Sequence, residues 1–398
     1  MEKGILQEKQ YCMRITFFVF FLLMTGCLLT GCQTRHAIVR TPVPVKATDS
    51  MWNADNIAAF ENRLEALRQR YHIPGLSAGI VNGGQLVWKK GFGYADVEGK
   101  LAPDENTVYQ IASVTKTFGA IILMQQVEAG RIQLDDPIAR YSINLGARWG
   151  SDERIRIKHL LTHTAMGNSF NAFKPGYTFR YNGGWYNQLG KAIEKASGHS
   201  FGELLLQNIV RPLGLARTVP STDDSASFRL TGYSRDSFMR LVARPYDWQY
   251  KKLVPMKFSY GFGPAAGLES SVADLAVYAR AIDEKRFLDS ATWKKVFTPF
   301  VTVKGKTIQY GLGWFIKDYK GVRVMWHTGW WTGYSALFVR ISQKDLTFII
   351  LANSQDLSRP FYHVMKVLPM FNPFRNNLNK DLFASAFAKA FMEHFMLL

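Results

Sequence analysis

Strand patterns occupy the two ends of this chain and leave its middle to helices, and that order limits the folds open to it. Early on, Gly75 to Val81 and Leu86 to Tyr94 flank Asn82-Gly83-Gly84. An Asn-Gly pair supplies the positive φ angles of a tight hairpin turn. Late on, Tyr310 to Ile316, Val322 to His327, Ser335 to Ile341 and Thr347 to Asn353 read as strands again. Between them the helical period prevails over 114–129, 154–165 and 186–197. One more helix is expected over Ala54 to Arg70, with Ile57, Phe60, Leu64 and Leu67 as its apolar stripe, and another within Lys380 to Leu398, covering the sheet. The arrangement is a sheet built from both chain ends around a helical insertion.

Ahead of that body, Ile15 to Leu29 is an apolar run that follows Lys9 and Arg14 and closes on Leu29-Thr30-Gly31-Cys32. This layout reads as a secretory signal over 1–31 and resembles a bacterial lipoprotein signal, which makes Cys32 the lipid-bearing first mature residue. Residues 32–50 then form a polar tether, and 51–398 the folded body. An uncleaved membrane anchor is the alternative, and Met13 is an alternative start; either way the body is exported to the cell envelope. All three cysteines lie at or before position 32, which removes thiolate metal sites and disulfides from the body. Formal charge is +18, and the first 32 residues carry three basic and two acidic side chains, so the remainder keeps +17. A tethered basic body is drawn to anionic lipid headgroups or envelope polymers. No nucleic-acid recognition module is visible.

The chemistry starts at Ser113-Val-Thr-Lys116, the chain's single Ser-x-x-Lys spacing. Residues three apart share a helix face, so the amine reaches the hydroxyl. A serine needs a base to become a nucleophile, and a desolvated lysine can serve. The spacing alone is weak evidence. Its weight comes from two later blocks, Tyr181-Asn182-Gly183 and His327-Thr328-Gly329.

These blocks stand in an ordered set: IPGLSAGIVNGGQLVWKKGFGYADVEG, DENTVYQIASVTKTFGA, GRIQLDDPIARY, IRIKHLLTHTAMG, PGYTFRYNGGWYNQLGKAIEKASG, AAGLESSVADLAVYARAI, YGLGWFI and HTGWWTGYSALFVR, ending in FIILANS. Over residues 55 to 355 the chain resembles the serine β-lactamase, penicillin-binding protein and esterase family, of class C type. The resemblance implies an α/β (α+β) fold with an antiparallel sheet flanked by helices, and a helical subdomain inserted over roughly 125–300. It also implies acyl-enzyme hydrolysis of an ester or amide: esterase, D-amino-acid peptidase or β-lactamase chemistry on a small acyl, peptide or cell-wall-derived substrate. Family position makes Ser113 the nucleophile and Lys116 its base, and forms the oxyanion hole from the backbone N–H groups of Ser113 and Trp330. Tyr181 becomes the phenol that passes protons, a role needing positive charge close by. The family's Asn two residues after this Tyr is Gly183 here. Asn182, one position early, is the amide left for a substrate, and the departure favours esters over amides. His327 stands where Lys is usual and can anchor a carboxylate when protonated, with Thr328 offering a hydroxyl and Gly329 a close backbone.

Trp185, Trp314, Trp326, Trp330 and Trp331 fall in or beside these blocks, either walling an acyl pocket against the substrate or packing the core. His159 and His163 have zinc-like i, i+4 spacing, but HLLTH lacks the Glu of H-E-x-x-H, so a structural helix is the better reading. The carboxylates of LDDP at 134–137 read as a helix-end turn. No metal and no cofactor are expected. Against the enzyme stands one rival, an envelope protein that keeps the fold and binds acyl ligands without turnover.

Overall fold

The computed structural model describes residues 50–146, 150–166, 174–222, 228, 232–362 and 378–396. The proposed signal, the tether and Cys32 lie outside the described residues. Among those described, no helix is long and apolar enough to cross a membrane.

Helix α1, Ala54–Arg70, begins at Asn53, whose side chain accepts from Asn56 N at 2.7 Å. It buries Phe60, Leu64 and Leu67, as its stripe dictates, while Ile57 is half-buried. The hairpin follows as β1, Gly75–Asn82, and β2, Gln85–Gly93. Its turn differs from expectation: the two positive φ angles belong to Gly83 (56°) and Gly84 (77°), and Asn82 stays in the strand.

Helix α2, Thr115–Glu128, is buried along most of its length, unlike α1. Helices α3, Gly183–Asn187, and α4, Leu189–Ser197, pack nearby, and α5, Val272–Asp283, lies against the sheet. Four late strands complete the sheet: β3 Phe315–Tyr319, β4 Val322–Trp331, β5 Tyr334–Ile341 and β6 Leu346–Ala352. The strand expected at 310–316 begins later, because Gly311 and Gly313 turn the chain so that Tyr310 bridges back to Phe315. Strand order is β2-β1-β6-β5-β4-β3, antiparallel throughout, so the first hairpin pairs with the last strand.

The sheet is covered on both faces. On one side α1 meets the C-terminal helix α6, Ala386–Phe395, around Phe60, which packs edge-on to Phe395 at 4.9 Å and to Phe348 at 5.9 Å. On the other side α2 and α5 build a larger core with Phe118 stacked on Tyr278 at 3.8 Å. Fully burying one such ring contributes about 1.5–3 kcal/mol. The candidate site lies on this second side, where β4 runs past the start of α2.

Candidate active site

Ser113 sits on a 3-10 turn, Ala112–Val114, that leads directly into α2. Ala112 just before it holds φ at 49°, a conformation costing a non-glycine residue about 1 kcal/mol or more. Tertiary clamps hold the turn. Thr115 Oγ1 donates to Ala112 O at 2.6 Å and accepts from Leu268 N at 3.2 Å, while Ile111 N donates to Leu268 O at 2.9 Å. Ser113 is thereby set at the start of α2, where the helix dipole favours negative charge.

Lys116 is completely buried. Its Nζ lies 3.0 Å from Ser113 Oγ and 2.8 Å from the carbonyl oxygen of Ala265, and among the described residues no carboxylate pairs with it. Burial pushes its pKa well below the ordinary lysine value. A neutral amine has two N–H groups and one lone pair. The Ala265 carbonyl can only accept, so one N–H is spent there; Nζ also donates to Ser113 Oγ, and rotation about its last bond brings the lone pair to the hydroxyl instead. That carbonyl arrives because the chain near Pro264 crosses α2 at Gly119, where any Cβ would collide with Pro264.

Tyr181 is buried ahead of α3, with Lys116 Nζ 4.9 Å from its ring centroid and 5.3 Å from that of Tyr186. Ser113 and Tyr362 are polar neighbours of its hydroxyl, though neither meets it in regular hydrogen-bond geometry. Burial raises this phenol well above its ordinary 10. The expectation that nearby positive charge makes it a base is therefore corrected. The same burial pushes the amine beside it toward its neutral form, which withdraws the positive charge that a phenolate would need.

His327 is likewise buried, with Nδ1 2.7 Å from Thr328 O and Nε2 3.1 Å from the Tyr310 hydroxyl. Burial pushes its pKa well below 6.5. Since a carbonyl only accepts, Nδ1 carries the proton and Nε2 accepts from Tyr310. A protonated, carboxylate-anchoring His327 does not fit: both nitrogens are engaged inside the protein, and the ring backs Tyr181 at 6.2 Å. Thr328 is also reassigned. Strand alternation turns it to the opposite face from His327 and Gly329, where Oγ1 meets Ser358 Oγ at 2.7 Å and Ala336 O at 3.2 Å. Gly329 lets β4 pass the nucleophile turn, since a Cβ there would collide with Ile111 O.

Trp330, beside this crossing, is half-buried and stacks on Tyr362 at 4.9 Å. Trp331 donates through Nε1 to Ser259 O at 3.2 Å, tying β4 to a neighbouring loop. Trp314 and Trp326 are core residues, fully buried, whereas Trp185 is half-buried. Asn182, expected on the substrate, caps α3: its Oδ1 accepts from Trp185 N at 3.0 Å. Gly183 faces the amine instead, and a Cβ there would sit 3.8 Å from Lys116 Nζ, in ordinary contact. An Asn at 183 would project its amide beside the lysine; the glycine leaves that space open.

Two groups escaped the sequence reading. His163 is buried, accepts Asn182 N–H at Nδ1 over 3.2 Å, and holds its ring 4.2 Å from that of Tyr181. Its spacing from His159 marks only a structural helix or, less well, a zinc pair. Burial keeps His163 neutral. Tyr362, after the last strand, brings a second phenol to Ser113 and Tyr181 and packs edge-on to the Tyr181 ring at 6.5 Å. No local pattern marks it. Its signal is only proximity to FIILANS, the end of β6. His159, the other half of the zinc-like pair, accepts Arg156 N at Nδ1 over 3.1 Å, and Asp136 of the LDDP turn accepts from Gln133 N at 2.7 Å. Among the described residues no cluster of three or more His, Cys, Asp or Glu is placed to hold a metal ion.

Comparison with known proteins bears on this geometry. The sequence model of the Beta-lactamase family matches residues 60–363. Penicillin-binding protein 4* of Bacillus subtilis (strain 168) is 26% identical over 336 residues, covering 75% of this chain and 72% of that protein. Protein flp of Staphylococcus aureus (strain NCTC 8325 / PS 47) is 24% identical over 331 residues, and the chain spans only 63% of its length. Among solved structures, the octameric penicillin-binding protein homologue from Pyrococcus abyssi superposes with a TM-score of 0.64 at 28% identity, covering 75% of this chain and 74% of that one. With a mixed helix and antiparallel-sheet fold and a family match over most of its body, the chain belongs to the Beta-lactamase family of serine hydrolases.

Proposed function

We propose that the protein forms an acyl-enzyme on Ser113 and hydrolyses esters in preference to amides. One observation carries this reading: a buried amine without a carboxylate partner lies 3.0 Å from a serine hydroxyl. Neutral Lys116 accepts the Ser113 proton as Oγ attacks the substrate carbonyl. The oxyanion is held by the N–H groups of Ser113 and Trp330, and loss of one such donor costs about 2.7–4 kcal/mol of barrier. Tyr181, a neutral phenol, donates its proton to the leaving oxygen and recovers one from the Lys116 ammonium; the neutral amine then takes a proton from the attacking water and returns it to Ser113 Oγ as the acyl group leaves as the acid. His327, His163 and Tyr310 are positioning residues for Tyr181. Open space at Gly183 removes the amide arm that would grip a substrate amide, and esters do not need that grip.

A fluorophosphonate probe on the wild type and a Ser113→Ala variant tests the nucleophile, and equal labelling of both would end the proposal. A short-chain nitrophenyl ester, a chromogenic cephalosporin and a D-alanyl dipeptide, run side by side, test the preference. The ester is expected to turn over fastest, and a faster cephalosporin would overturn that choice.

A second reading, binding without turnover, is favoured by Tyr181 alone: a phenol held above its ordinary pKa is a poor base for the water that releases the acyl group. One equivalent of bound acyl group with no steady release would select it. We also propose export and lipid attachment at Cys32, supported by the apolar run and Leu-Thr-Gly-Cys. Loss of palmitate incorporation in Cys32→Ala would bear it out, and unchanged incorporation would not.

A further inference from the structure

Away from the cleft, a hairpin spanning 301–307 is closed by Thr302 N donating to Lys306 O at 2.9 Å and is joined to the body by Val303 N donating to Gly176 O at 3.1 Å. Val301 at its start and Val303 in its turn are 54% and 66% exposed. Four lysines surround them. Lys174 and Lys304 both stand over the Tyr177 ring, at 5.7 and 5.9 Å, and Lys380 stands over Phe179 at 4.5 Å. Lys306 is close enough for its charge to disfavour that of half-buried Lys380, after burial itself. Among the described residues none of the four has an ion-pair partner, whereas Lys89, Lys90, Lys158, Lys317 and Lys389 each have one.

Like charges gathered without ion-pair partners repel one another, and an external anion relieves that repulsion. The valines decide which anion. A soluble polyanion gains nothing from two exposed apolar side chains, but the headgroup boundary of a bilayer takes them in while lysine stems reach up to lipid phosphates. We propose that the surface formed by Lys174, Val301, Val303, Lys304, Lys306 and Lys380 docks the body onto an anionic lipid bilayer. This is independent of the acyl-enzyme reading and of any lipid on Cys32. A tether confines the body near a membrane of any composition, whereas the lysine surface selects an anionic one and sets which side faces it. Each lysine brought to such a surface changes binding by about fivefold, an effect that salt removes.

The test is a lysine footprint on the full chain. The protein is mixed with phosphatidylglycerol vesicles or with phosphatidylcholine vesicles, pulsed with an acetylating reagent, and read lysine by lysine by mass spectrometry. Acetylation of Lys304 and Lys306 should fall about fivefold or more on phosphatidylglycerol alone and recover in high salt. Exposed Lys100 and Lys285 should not change. The double variant Lys304→Glu/Lys306→Glu should lose the protection of Lys174 and Lys380 while keeping nitrophenyl-ester turnover in solution. Equal acetylation of Lys304 and Lys306 on the two lipids would overturn the proposal, as would uniform protection that includes Lys100 and Lys285. Protection by soluble polyphosphate without protection by vesicles would assign the surface to a polymer and also overturn it. The wild-type footprint decides the matter even if the double variant fails to fold.

Discussion

Two cations are withdrawn from water in the larger core of this protein, and they are treated in opposite ways. Arg340, on β5, is ion-paired with Asp283 at the end of α5, and its guanidinium stands 5.6 Å from Phe297 and 5.8 Å from Trp314. Lys116, on α2, has a serine hydroxyl, a carbonyl oxygen and two phenol rings, and among the described residues no carboxylate. Arginine cannot shed its proton, so a buried arginine must be balanced by an anion. Lysine can shed it, and a site that withholds the anion yields a free lone pair. Where a fold buries a charge for stability it supplies the counter-ion; beside Ser113 none of the described residues supplies one, as the proposed base requires.

That contrast can be broken experimentally. The largest effect is expected at the unpaired cation: Ser113→Ala and Lys116→Ala should each lower nitrophenyl-ester kcat by about 10²–10⁴-fold or more with the fold intact by circular dichroism. An active Lys116→Ala would show that the amine is not the base. Next comes the paired cation. Asp283→Asn leaves Arg340 buried and unbalanced, and urea denaturation should show a loss of roughly 2–3 kcal/mol, less than a fully enclosed pair because Asp283 is partly exposed.

Third, Lys116→Met should stabilise the protein, by about 1 kcal/mol near neutral pH, because it removes an amine whose proton the fold rejects. The sign follows from linkage. The unfolded chain binds this proton more tightly than the native one, so stability rises with pH from the lowered native pKa up to the ordinary lysine range. Wild-type and Met-variant stabilities should therefore converge as pH rises toward that range, and a gap independent of pH would count against a neutral Lys116. The rate of fluorophosphonate labelling should rise through the same lowered pKa, and Lys116→Ala should lack that rise. The smallest effect is expected at Tyr362→Phe, which keeps the ring on Trp330 and removes only the second phenol at Ser113. A fall of a fewfold in kcat with KM unchanged would place its hydroxyl in the transition state, and an unchanged kcat would leave it a packing residue.

Much of this was legible along the chain. The stripe of α1, the hairpin, the late strands and the apolar C-terminal helix follow from periods of 3.6 and 2 that any solvent-exposed chain must obey. Ser113 and Lys116 were legible for the same reason, being one helical turn apart. The same local rule also spoke against part of the reading: His327, Thr328 and Gly329 are consecutive in a strand and cannot all face one substrate. Asn182, followed at 183 by a glycine-led helix, had the position of a cap.

What the residue order determined by itself is therefore local: which segments are helix and strand, that the sheet closes between the two ends of the chain, and that a hydroxyl and an amine share a face. Only the packed structure decided the protonation states, because they depend on what each group loses when water is removed. Burial of Lys116, Tyr181, His163 and His327 lowers the pKa of the amine and of both imidazoles and raises that of the phenol. Tyr362 joins them from the far end of the sequence. Desolvation is a property of neighbours in space, and no spacing along a chain records it.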